Sequence, residues 1–428
     1  MRVLFTAAFL PAAVAAAAGP VITHVEHGPN APAQLKKHYV VLVSLDGFGA
    51  DDAKRYGAPH LDAIAEHGAS APQGMIPSYP LEALPNHYAL VTGLYPEHHG
   101  MVAMRFYDPA RRQRYAFDDP ATATDGSWYR GVPLWSLAEK QGMRTAGLRW
   151  PGSEAEIAGE RPSDYARFGE HMSDEAAVAQ IASWLRLPDA QRPHFIALRY
   201  LNIEHAGQVF GPDAPQMRDA VHRADEFIGK LQARLQTLHL PIDLIVVSDH
   251  GMQAQQGDWI TLDTYVDLSH MEIAGSLLYA KDESAAEAVY QKLKIVDGRF
   301  KVYRRSKVPA ALEYSGDPRI GDPVVVPNGP YAIRAHAPED AGSSSASVAV
   351  SRKSGADSTA SGDDPRAAEP IRAIFYAEGP DIRSAVRLRP FENVNVYPFL
   401  AAILGLDASP TDGSAPVLSR ALIAPPAP

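Results

Sequence analysis

The sequence predicts an α/β fold with a mostly parallel central sheet and helices on both faces. Two runs, HYVVLVSL at 38–45 and DLIVVS at 243–248, are continuously apolar, as strands buried on both faces are. Between them strand-like runs such as TAGLRW (145–150) and HFIALRYL (194–201) alternate with helical ones. Met217, Val221, Ala224, Ile228, Leu231, Leu235 and Leu238 step by four and three, an apolar helical stripe suited to covering a sheet face.

The flanking segments read differently. Residues 1–18 start with Arg2, continue as an apolar run and end in alanines before Gly19, as a cleaved secretory signal peptide does. Residues 19–37, rich in Pro, Gly and His, read as a linker, and the main domain is expected over 38–416. Within it, 272–335 reads as a small inserted α+β subdomain. It holds a strand (GSLLYA), a helix around Ala285–Leu293 and a second strand (RFKVYRR). Residues 338–368, dominated by Ala, Ser, Gly, Asp and Pro, are expected to be poorly ordered, with order resuming at IRAIFYA (371–377). Residues 417–428 read as a tail.

Composition removes several function classes. The 428-residue chain has no cysteine, which excludes disulfides, thiolate metal sites and cysteine nucleophiles. An exported chain without disulfides suits a bacterial periplasm. A formal net charge of −10 with no basic run argues against binding a nucleic-acid polymer. A phosphate-containing small molecule stays open as a partner, because a bound metal can invert the local field. No segment of the mature chain approaches the ~20 apolar residues of a membrane span.

The chemistry-bearing residues fall at strand ends. Asp46 ends the first strand (LDGF), and Asp249 and His250 end a later one (SDHGM). In open parallel sheets the carboxyl ends of the strands form the ligand crevice. Two carboxylates and an imidazole gathered there could hold one divalent metal, and this donor mix suits zinc. Either motif alone is weak; Asp46 could equally cap a helix and His250 pack in a turn.

Longer motifs sharpen the reading. They are VSLDGF at 43–48, LPNHYALVTGLYPEHHG at 84–100, FYDP at 106–109, WPGSE at 150–154, SDHGM at 248–252 and FENVNVYPFL at 391–400. In this order they resemble the nucleotide pyrophosphatase/phosphodiesterase family of the alkaline phosphatase superfamily, from about Tyr39 to Gly413. The resemblance implies an alkaline-phosphatase-like fold. It also implies chemistry in which two zinc ions flank a threonine that attacks phosphorus and forms a covalent intermediate.

Carried over residue by residue, the resemblance splits. One zinc site maps onto Asp46, Asp249 and His250, all present. The nucleophile position falls on Ala83, and the neighbouring aromatic that would stack on a nucleobase is Leu84. The asparagine expected before Tyr107 is Met104. The second zinc site maps onto Glu204, which could still ligate, and Gln208, a neutral amide. Its last histidine would fall near Ser361, and no histidine follows His336. The expectation is therefore an exported, catalytically degenerate relative with at most one intact metal site, one divalent ion, most simply zinc. The alternative is an active hydrolase in which one metal activates a water, with Glu204 or His205 as general base.

Overall fold

The computed structural model describes residues 21–169, 172–255, 257, 259–296, 298–337 and 371–423. The expected signal peptide, the expected poorly ordered loop and Ser361 lie outside the described residues. Nine strands form the main sheet: β1 (Ile22–His24), β2 (Tyr39–Leu45), β3 (Ala69–Ser70), β4 (Thr145–Leu148), β5 (Asp164–Ala166), β6 (Phe195–Tyr200), β7 (Ile242–Val247), β8 (Phe375–Glu378) and β9 (Val386–Arg387). Their order is β1-β5-β4-β6-β2-β7-β8-β3-β9. The five strands from β5 to β7 run parallel. β1 and β8 join antiparallel at either side of that block.

Eight helices matter to the site and the core: α1 (Pro59–His67), α2 (Ala83–Thr92), α3 (Leu134–Lys140), α4 (Asp174–Leu185), α5 (Asn202–Phe210), α6 (Pro215–Gln236), α7 (Glu283–Leu293) and α8 (Val396–Leu404). Alternation along the central strands feeds two cores. Val40, Leu42, Ile245 and Val247 face one apolar cluster with α2, α3 and α8. Val41, Val43, Leu244 and Val246 face the other, with α1, α4, α5 and α6. Both faces are covered, which is why β2 and β7 read as unbroken apolar runs. The α6 stripe packs as its periodicity requires: Met217, Val221, Ala224, Ile228, Leu231 and Leu235 are all buried in the second cluster.

Beyond the sheet, a third apolar cluster joins Ile260, Leu262, Leu278, α7, Phe300 and Ile333. It is bordered by the antiparallel pairs Met271–Ala274 with Leu277–Ala280, and Phe300–Tyr303 with Val324–Pro327.

Two end segments differ from expectation. Part of the predicted linker is β1, which pairs with β5. Edge pairing is made by backbone groups and needs no apolar run. The predicted tail packs too: Leu418, Ala421 and Leu422 are buried against the first core.

Candidate active site

The carboxyl ends of β2 and β7, the start of α2 and the end of β6 meet at one place. Asp46 follows β2 directly, and its N–H is held by the Tyr200 carbonyl at 3.0 Å. The chain then turns at Gly47, with φ +73°. A Cβ there would sit 3.2 Å from Glu204 Cα and 3.1 Å from Met252 Cε, so the turn needs glycine. Gly47 N–H donates to Asp249 Oδ1 at 3.0 Å, as does His250 N–H at 2.9 Å. These two bonds fix the Asp249 carboxylate and leave its second oxygen facing the pocket.

Asp46, Asp249 and His250 are fully buried. Asp46 Oδ1, Asp249 Oδ2 and His250 Nε2 have no hydrogen-bond partner. Buried polar atoms are rarely left so. His250 Nδ1 lies 2.9 Å from the Gly251 carbonyl, which makes Nδ1 the protonated nitrogen and leaves a lone pair on Nε2. Nε2 is 3.4 Å from Asp249 Oδ2. Carboxylate and imidazole donors are of the type a divalent ion takes, but the group of three whose donors lie within 4.8 Å of one another holds Asp46, Asp249 and the imidazole of His87 rather than His250.

Burial pushes Asp46 up to about 6, against the pull of Arg199. Burial disfavours charge on His250 as well, but the carboxylates of Asp249 and Glu204 outweigh it and raise its pKa.

Sequence reasoning missed two participants. His87, one turn into α2, places Nε2 3.0 Å from Asp46 Oδ1 and Nδ1 3.6 Å from Asp249 Oδ2. Its Nδ1–H donates to the Ala83 carbonyl at 2.8 Å, and Nε2 takes the Ser44 hydroxyl at 2.9 Å. Burial lowers it to about 4, so it is neutral. Asp46, His87 and Asp249 each offer a donor within 4.8 Å of the others. The spacing to Ala83 could have suggested this, since i and i+4 share a helix face.

Arg199, the fifth residue of β6, is the other. Its Nε donates to Asp46 Oδ2, and Nη2 lies 3.5 Å from Glu204 Oε2. It is 2% exposed, and nothing in the run HFIALRYL flags a guanidinium turned into a metal pocket.

The positions where the sequence departs from the resemblance begin at α2. Ala83 opens α2 and is 5% exposed, its methyl group at the position the hydroxyl was expected to hold. Leu84 is fully buried in the first core, so it presents no surface for a base to stack on. The Met104 thioether lies 3.4 Å from the Leu84 nitrogen. Asn86 holds the loop before α2 closed. Its Oδ1 accepts from Ser78 N–H at 2.8 Å and Asn393 at 2.9 Å, and its amide donates to the carbonyls of Pro80 and Glu82.

On α5, Gln208 Nε2 donates to Glu204 Oε1 at 3.1 Å. Burial raises the Glu204 pKa, with the Asp46 carboxylate adding to it. The amide thus spends its donor on the neighbouring carboxylate, whose other oxygen faces the Arg199 guanidinium. His205 does not reach the site. One residue along a helix turns about 100°, and His205 is exposed on a groove with Asn202, Phe210, Gln216 and Arg223.

Known proteins are similar to this chain in sequence and fold. The sequence profile of the type I phosphodiesterase / nucleotide pyrophosphatase family matches residues 40–357. An uncharacterized pyrophosphatase/phosphodiesterase of Schizosaccharomyces pombe is 31% identical over 396 residues, 88% of this chain and 78% of that protein. Human ectonucleotide pyrophosphatase/phosphodiesterase family member 1 is 28% identical over 90% of this chain, which spans only 42% of that longer protein. Murine ectonucleotide pyrophosphatase/phosphodiesterase 5, solved as an inactive threonine-to-alanine variant in complex with AMP, superposes with a TM-score of 0.79. It is 26% identical, covering 90% of this chain and 100% of that one. With the profile, the fold and the strand-end aspartates in agreement, the chain belongs to the type I phosphodiesterase / nucleotide pyrophosphatase family.

Proposed function

We propose that this chain is an exported family member that binds a phosphate-containing small molecule and does not carry out covalent phosphoryl transfer. The observation that carries the reading is Ala83. It stands at the start of α2, beside the pocket of Asp46 and Asp249, where a methyl group offers no lone pair to attack phosphorus.

Asp46, Asp249 and His250 would hold one zinc, with His87 alongside. A bound ion there would polarise a phosphate oxygen. On the α5 side Arg199 supplies a fixed positive charge and Gln208 closes the carboxylate. Neither residue considered as the base of a water mechanism is placed for it. Glu204 is engaged by Gln208 and Arg199, and His205 is turned to solvent. The murine relative with AMP and a threonine-to-alanine change supports binding without turnover. Among the described residues no helix is long and apolar enough to cross a membrane. Export rests on the leader-like residues 1–18.

The test is hydrolysis of a chromogenic nucleotide phosphodiester by the zinc-loaded protein, alongside AMP binding by calorimetry. The expected outcome is AMP binding with no turnover above buffer. Ala83→Thr alone is expected to stay inactive, because Gln208 remains. Turnover that disappears in Asp46→Asn would overturn the reading.

A further inference from the structure

A second group of metal-type donors lies at the opposite ends of the central strands, and nothing in the family site accounts for it. His38 immediately precedes β2, Asp243 is the second residue of β7, and Asp381 follows β8. Strands β2 and β7 are parallel neighbours and β8 runs antiparallel beside β7, so their near ends converge. From His38 to Asp46 the strand covers about 25 Å. This cluster is therefore remote from the candidate active site.

Each of the three residues offers a donor atom within 4.8 Å of the others. His38 Nδ1 is hydrogen-bonded to Asp381 Oδ2 at 2.7 Å, and the two would have to part to about 3.4 Å to share a tetrahedral ion at ~2.1 Å. Asp243 is the informative member. It is fully buried, in the second position of a strand packed on both faces. One of its oxygens accepts the Asp381 N–H at 3.0 Å. The other, Oδ2, is buried with no hydrogen-bond partner.

The backbone is shaped to this carboxylate. Gly379 has φ +143°, and a Cβ there would fall 2.4 Å from Asp243 Oδ1. Only glycine allows the loop after β8 to close over the carboxylate. Two carboxylates brought together, one of them sealed from water, cannot both stay ionised alone: burial and the neighbouring Asp381 carboxylate raise the Asp243 pKa well above the ordinary range, so the pair holds either a proton or a cation. His38 and Asp381 are each about one-third exposed, so an ion has a way in.

We propose that His38, Asp243 and Asp381 form a divalent-metal site that ties together the near ends of β2, β7 and β8. One imidazole nitrogen with two carboxylates favours a zinc-class ion over calcium or magnesium, which take all-oxygen shells. The ligands come from three neighbouring strand ends, so a bound ion would act as a staple between them, with solvent completing its shell.

The experiment strips the full chain with chelator, dialyses it against zinc chloride and counts bound zinc by mass spectrometry. Asp46→Asn marks the active-site ion separately. Wild type is expected to bind one more equivalent than Asp243→Asn, and Asp46→Asn is expected to keep that equivalent. Zinc should raise the melting temperature of Asp46→Asn and leave that of the double variant Asp46→Asn/Asp243→Asn unmoved. His38→Gln, on a partly exposed side chain, is expected to lose the same equivalent, and it decides the matter should Asp243→Asn not fold. Zinc content equal to wild type in His38→Gln or in folded Asp243→Asn overturns the proposal.

Discussion

The two halves of the candidate active site face each other across Arg199 and are finished in opposite ways. At the ends of β2 and β7 the donor atoms are left open. Asp46 Oδ1, Asp249 Oδ2 and His250 Nε2 are buried and without hydrogen-bond partners. At the start of α5 the donors are closed: Gln208 takes one oxygen of Glu204 and Arg199 approaches the other. An open buried donor set is unfavourable until a cation arrives from outside. A closed one carries its compensation in the chain. The difference shows that buried donors on neighbouring elements can be compensated in two ways, one from within the chain and one from outside it.

The strongest way to break this comparison is to remove that side chain. Arg199→Met leaves Asp46 and Glu204 buried without their cation. Loss of one partner of a buried pair is expected to cost about 3–5 kcal/mol. Chemical denaturation in chelator measures it. The comparison makes a second demand. Zinc should recover more stability in Arg199→Met than in wild type, because an ion can then take over the Asp46 oxygen the guanidinium held. Equal effects of zinc on both proteins would show that Arg199 and the metal do not share a role.

A smaller effect is expected at the loop before α2, which Asn86 holds closed. Asn86→Ala removes four hydrogen bonds and leaves the Ser78 N–H without its acceptor. The expected loss is about 2–3 kcal/mol in denaturant, with zinc content unchanged. Altered zinc content would mean that this loop positions the metal donors as well as the start of α2.

How much of this was readable follows from where the forces act. The central strands were legible because burial on both faces leaves unbroken apolar runs, and α6 because one buried stripe recurs every turn. That Asp46 and Asp249 would meet was legible because strand ends in a parallel sheet converge, whereas the imidazole grouped with them, His87, was not. Arg199 was not. It sits in a strand whose neighbours are apolar, and the side chain's partner, Asp46, is 153 residues distant. β1 was hidden for the opposite reason, since edge pairing uses backbone groups that every residue carries. Glu204 and His205 could not be told apart by composition; only the helix turn separates the residue facing the pocket from the one facing solvent.

The contrast between open and closed donors extends to histidines, and pH separates them. His99 is as buried as His250, but both of its nitrogens are used. Nδ1 accepts the Met101 N–H at 3.1 Å, and Nε2–H donates to the Pro85 carbonyl at 3.1 Å. A second proton would have to enter on Nδ1, against an N–H already pointing at it. Burial accordingly lowers His99 to about 3, from the ordinary 6.5. The unfolded chain takes up this proton first. The contribution of His99 to stability is thus complete above about pH 6.5 and is lost as pH falls toward 3. At about 1.4 kcal/mol per pH unit, the loss near pH 5 is about 2 kcal/mol relative to pH 8. Denaturation midpoints of wild type and His99→Gln, compared across pH 8 to 5 in chelator, isolate this component. The variant is expected to lose less stability on acidification. An identical pH profile would place the acid sensitivity at other buried groups, His87 first among them, since burial lowers it to about 4.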